Sequence, residues 1–156
     1  MSESNAAVLN TLHRQQANAM VLYLNTKKYH WLTFGAHFRD IHLLLDEQAT
    51  ALIDEVDEFA ERAIMLDGAP LADPAKYLST ATVKASEGVG TLRTMLGEAI
   101  SAHDLVIAEM HSDAEVANKA GDIGTADLFT RLVQVHQKQR WFLREILRNG
   151  SGIGDS

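Results

Sequence analysis

The sequence predicts an all-α domain of four long helices joined by two short turns and one long crossover. Three observations predict it. Both prolines, Pro70 and Pro74, fall in one segment, and the proline-free stretches on either side are what long helices require. Apolar residues recur at helical spacing, most clearly as Phe38, Ile41, Leu45, Ala49, Leu52, Val56, Phe59 and Ala63. Turn and breaker residues then divide the chain unevenly, leaving one connection much longer than the others.

The first helix is expected over residues 5–29 and the second, with the clearest apolar repeat, over 37–65. The third is expected over 86–119, weakened by Gly88, Gly90 and Gly97, each costing roughly 1 kcal/mol relative to Ala. The fourth, over 124–149, repeats the pattern with Leu128, Leu132, Val135, Phe142 and Ile146. Gly35, Asp67-Gly68-Ala69-Pro70, Gly121 and Gly150 stand where helices should stop. Residues 66–85 make a crossover long enough to return along the bundle, with a short helix expected near Pro74-Ala75-Lys76-Tyr77-Leu78. Two helical hairpins joined by a single long crossover form the ferritin-like version of the four-helix bundle.

At 156 residues, 46% hydrophobic and 22% charged, the chain is one domain's worth with material for a sizeable core. Its formal charge of −7 argues against a generic nucleic-acid or anionic-membrane binder. The absence of cysteine excludes disulfides, thiolate metal sites and thiol catalysis. No apolar run is long enough to span a membrane, and Met1 to Val8 lack a secretory signal's basic start and apolar stretch. The expectation is a soluble, cytoplasmic single domain over 1–156, with mobile tails at about 1–5 and 150–156.

Seven histidines without cysteine restrict any metal site to imidazole and carboxylate, a set that suits iron, zinc and manganese. The informative cluster is His30, then His42 with Asp46, then Asp57 with Glu61. Each of the two pairs is four residues apart, hence on one helix face. Asp46 and Asp57 are eleven apart, about three turns, so both pairs share one stripe. Roughly 16 Å of helix rise separates them, too far for one metal centre. No Glu is followed three residues later by His, so the usual in-bundle di-iron motif is missing. Two copies of the second helix, antiparallel across a two-fold axis, would bring His42 and Asp46 of one copy opposite Asp57 and Glu61 of the other. His30 could complete each site. Asp46, Glu47, Asp54, Glu55, Asp57, Glu58 and Glu61 also make an ordinary solvated acidic face, and spacing alone leaves both readings open.

Tyr29-His30-Trp31, Gly35, Phe38, His42, Asp46-Glu47, and Asp57 through Ala60-Glu61-Arg62 resemble the Dps family, the mini-ferritins named as DNA-binding proteins of starved cells. The resemblance extends to Gly68-Ala69-Pro70, Gly121-Asp122, Thr125-Ala126-Asp127-Leu128 and Trp141, and so covers nearly the whole chain. It implies a hollow homo-dodecamer that oxidises Fe(II), preferentially with hydrogen peroxide, at two-fold interface sites and stores ferric mineral inside. It implies that Asp57 and Glu61 of one subunit, with a partner's His30, bind the first iron, while His42 and Asp46 line a weaker second position. Zinc would accept the same ligands. Trp31 is either a trap for stray oxidising equivalents or a packing residue, and Arg62 reads as an ion-pair partner. Asp127 matches the family's iron-entry pore pattern with Asp122 nearby, but Asn118 and Ile123 stand where other members carry acids. His13, His103, His111 and His136 have no carboxylate partner at matching family positions and read as structural or solvated; His37 is a candidate for a surface metal. DNA binding is expected to be absent or weak, because family members that condense DNA use basic tails and Met1 to Val8 contain an acid and no base. A nucleoid-associated protein and a plain helical interaction module remain the alternatives.

Overall fold

A computed structural model describes residues 3–87 and 89–149. The described residues form five helices and no strand: α1 (Glu3–Leu32), α2 (Phe38–Met65), α3 (Pro74–Thr80), α4 (Leu92–Lys119) and α5 (Ile123–Leu147). The four long helices and the short crossover helix are those the sequence predicts. α1 begins at Glu3, so residues 3–5 of the expected amino-terminal tail are helical, and the tail expected at 150–156 lies outside the described residues. α4 starts six residues later than expected. Gly90 lies outside the helix, and Thr91 caps it by accepting from the Thr94 N–H.

Both hairpins turn at a glycine of positive φ. α1 turns into α2 through Gly35, whose φ of 101° is one L side chains rarely adopt. α4 ends at Gly121 (φ 78°), and the next residue, Asp122, already caps α5 through the Thr125 N–H. At the end of α2 the left-handed residue is Asp67 (φ 57°), not Gly68. Gly68 is required for space instead, because a Cβ there would stand 2.5 Å from a Leu9 methyl.

The crossover is fastened to α1 by amide side chains. Gln16 donates to the Leu71 carbonyl and accepts from the Leu71 N–H, both at 3.0 Å. Asn18 Oδ1 accepts from the backbone N–H groups of Thr82 and Val83 at 2.8 and 3.0 Å. Asn25 accepts from the Ser86 N–H and donates to the Lys84 carbonyl. The parts of the crossover outside α3 thus have backbone groups satisfied by α1.

The buried face of α2 carries seven of the eight expected seam residues, Phe38 being the exception at 43% exposed. On α5 the buried stripe runs through Leu128, Leu132, His136, Gln139 and Leu143, while Phe142 and Ile146 stay well exposed. The expected α5 seam is therefore displaced by about one position beyond Leu132. The reason is that polar residues occupy its inward face there, so apolar periodicity followed the outer flank.

Candidate metal centre

α1 and α2 run antiparallel, which brings the end of one beside the start of the other. His30 and His42 stack there with ring centroids 3.6 Å apart. Each ring is fixed by the other residue's backbone: His30 Nδ1–H donates to the His42 carbonyl at 2.7 Å, and His42 Nδ1–H donates to the His30 carbonyl at 2.9 Å. A carbonyl only accepts, so Nδ1 carries the hydrogen in both rings. In the neutral imidazole that leaves Nε2 as a bare lone pair on each, the form a metal ligand takes, with the second-shell orientation already in place. His30 is buried and His42 half-buried.

Asp46 lies one turn along α2 from His42 and is exposed. Lys27 of α1 donates to its Oδ1 at 2.6 Å, and this hydrogen bond, with the Lys27 charge, holds Asp46 below the usual carboxylate range. Lys27 also lies 5.8 Å from the Trp31 ring centroid. Asp57 and Glu61 are both exposed, three turns further along α2, and neither has a hydrogen-bond or ion-pair partner among the described residues. The structure thus brings His30, His42 and Asp46 together and leaves Asp57 and Glu61 apart from them. Within one chain, no group of three or more such ligands among the described residues could hold a metal ion. This is the separation the helix-rise argument anticipated. Trp31 (66% exposed) and Phe34 (85%) are exposed at the α1–α2 turn, and Ile64 and Met65 are exposed at the far end of α2.

The candidate pore residues diverge. Asp127 is exposed. Asp122 is engaged: it caps α5 and takes a hydrogen bond from Arg62 at 2.6 Å. Burial disfavours its charge, but hydrogen bonds from Thr125 and from Arg62 prevail and hold it below its ordinary value. Arg62 is the ion-pair partner the sequence suggested. Ile123 is 76% exposed and Asn118 is exposed, so neither position adds a charge at this turn. His37 is exposed at the start of α2 with no side-chain cap.

Glu55 departs most from expectation. Grouped by sequence with the solvated acids, it is 2% exposed and its Oε2 contacts His136 Nε2 at 2.9 Å. His136 therefore does have a carboxylate partner. The signal was available: Glu55 stands three residues after Leu52 and four before Phe59, on the buried stripe itself.

The sequence pattern of the ferritin-like domain matches residues 9–153. Dps from Thermosynechococcus elongatus is 58% identical and superposes with a TM-score of 0.93, covering 98% of this chain and 99% of that one. The chain belongs to the Dps family of ferritin-like proteins. DNA protection during starvation protein 1 of Deinococcus radiodurans is 36% identical over 141 residues, 90% of this Dps chain and 68% of that protein. Dps from Vibrio cholerae, described as a member of a broad superfamily of ferritin-like diiron-carboxylate proteins, is 28% identical with a TM-score of 0.88 over 93% of this chain and 91% of that one. No described helix is long and apolar enough to cross a membrane.

Proposed function

We propose that this Dps chain is the subunit of a hollow dodecameric iron store that oxidises Fe(II), with hydrogen peroxide as preferred oxidant, at sites shared across a two-fold axis. The observation that carries the reading is the reciprocal His30–His42 lock, which presents two bare Nε2 atoms, set against Asp57 and Glu61, two unpartnered carboxylates on the same helix but three turns away. An antiparallel second copy of α2 joins the two halves, and the exposed Trp31, Phe34, Ile64 and Met65 supply apolar area for that contact.

Iron is substrate here. Asp57, Glu61 and the partner's His30 take the first ion. His42 and Asp46 line the second position, and Lys27 must leave Asp46 before a cation replaces it, which weakens that position. Two neighbouring Fe(II) ions supply both electrons that peroxide needs: two Fe(II), one H₂O₂ and two protons give two Fe(III) and two waters, with no free hydroxyl radical. Hard carboxylate and imidazole ligands suit both oxidation states while leaving positions open to the oxidant. Zinc fits the same donor set as a competitor. Asp127 is the carboxylate for an entry pore, Asp122 being committed to Arg62 and its cap. The reading also makes the protein protective, with peroxide and Fe(II) removed together in the cytoplasm.

The test is anaerobic Fe(II) loading followed by sub-stoichiometric peroxide. Two Fe(II) oxidised per peroxide, with ferric iron retained in the shell, supports the reading; one per peroxide, or loss of iron on gel filtration, overturns it.

A further inference from the structure

The apolar interior of the bundle is interrupted. One cluster includes Leu52, Val106, Ile107, Leu132 and Val133; a second includes Leu45, Ala99 and Leu143. Between these levels the chain places Gln48 on α2, His103 on α4, and His136 with Gln139 on α5. Glu55 reaches His136 from two turns further along α2. His103, His136 and Glu55 are 0%, 1% and 2% exposed. They form a row: Glu55 Oε2 to His136 Nε2 at 2.9 Å, then His136 Nδ1 to His103 Nδ1 at 2.8 Å. The row ends without partners at both sides, at Glu55 Oε1 and His103 Nε2.

We propose that His103 and His136 are an acid-sensitive latch between α4 and α5, anchored to α2 by Glu55, that is closed while His103 carries one hydrogen and is driven open when it takes up a second. Two nitrogens 2.8 Å apart are bridged by one hydrogen, one ring donating and the other accepting. A second hydrogen in that gap would set two N–H groups head to head. The proton enters instead at His103 Nε2, which has no partner, and places a cation on a ring that is 0% exposed. An ionised ring that stayed inside would be a buried charge without a partner.

The surroundings offer no relief. From α5, Arg140 adds positive charge near His103, although it is paired with Asp104. From α2 only Glu55 reaches the row; Glu58 is engaged by Arg131. From α1, Arg14 is held by Asp113 and Glu109, and Tyr29 by Glu98, at levels well away from His103, while Lys27 is held by Asp46 and Lys28 by Ser86. Tyr23 is half-buried, and Lys84 of the crossover is exposed. Burial, then the charges of His136 and Arg140, hold His103 well below the ordinary imidazole value. The unfolded chain takes up this proton below about pH 6.5 and the folded chain does not. The latch's contribution is therefore complete above that pH and declines as pH falls, until the folded value itself is reached.

The experiment compares reversible unfolding of the wild type and His103→Gln at fixed protein concentration from pH 7.5 to 5. Gln keeps a hydrogen-bonding group for His136 Nδ1 but cannot titrate. The wild type should lose about tenfold more in its folded-to-unfolded ratio per pH unit below about 6.5 than the variant does; equal slopes overturn the proposal. Should the variant fail to fold, histidine C2-hydrogen exchange read by mass spectrometry on the folded wild type decides. His103 should show no inflection near the ordinary imidazole value; an inflection of His103 near pH 6.5 overturns the proposal. Neither readout depends on iron, so the latch and the metal centre can fail separately.

Discussion

The outward and inward faces of α2 are built from the same chemical groups and behave as opposites. Outward stand His42, Asp46, Asp57 and Glu61, solvent-facing and, in the case of Asp57 and Glu61, with no partner in the described chain. Inward stands Glu55, buried and engaged by His136, which engages His103. An exposed carboxylate without a partner costs the fold little and keeps its full capacity for a cation. A buried one is tolerable only when paired, and its pairing leaves it nothing to give a ligand. The difference separates residues held for chemistry from residues held for structure, although composition alone cannot tell them apart.

The largest expected effect sharpens the outward side. Glu61→Ala removes a ligand of the first iron, so rapid peroxide-driven oxidation should fall by more than the roughly 10–100-fold that losing even an outer-shell partner costs a metal site. The shell should survive, because assembly rests on apolar surface. Wild-type stopped-flow rates in a correctly assembled variant would falsify the site assignment.

Next comes the inward side. Glu55→Ala breaks a buried pair and should destabilise the chain by about 3–5 kcal/mol, measured by denaturant unfolding, while any folded fraction oxidises iron normally. A loss below 1 kcal/mol would mean that the row is not the closed structural element described above.

A third experiment joins the faces of two subunits. His42→Ala and Glu61→Ala chains, co-assembled, should regain a part of the activity that neither has alone, since some mixed dimers carry one intact site. No recovery in verified mixed dimers would place the whole site in one chain.

Smaller still is the effect of Lys27→Gln. Freeing Asp46 from an exposed ion pair should tighten the second iron by no more than about fivefold, seen as more Fe(II) bound per subunit before oxidant is added. An unchanged binding curve would remove Lys27 from the account. The smallest expected effect is none: with a formal charge of −7 per chain and no base before Arg14, the intact shell should leave DNA free in a gel shift run with chelator at moderate salt. Retardation at sub-micromolar shell would revive the nucleoid alternative.

Much of this was legible in the sequence. Helix periodicity, two clustered prolines and the glycine breakers placed four long helices and a crossover, because each is a local constraint on the backbone. The shared stripe of His42, Asp46, Asp57 and Glu61 on α2 was legible because a helix converts spacing directly into position along a face. Only the tertiary structure decided the rest. Glu55 lies among six other acids in the sequence, and its burial depends on a helix some eighty residues later presenting His136 to it. The α5 seam shifted for the same reason, since polar residues that satisfy one another inside a bundle look, residue by residue, like a solvated face. Asp122 is engaged by Arg62, sixty residues away, a contact that no local pattern announces. Local patterns determine what each segment wants to bury; whether a polar group can be buried depends on the partner it meets, and that partner is supplied by the fold.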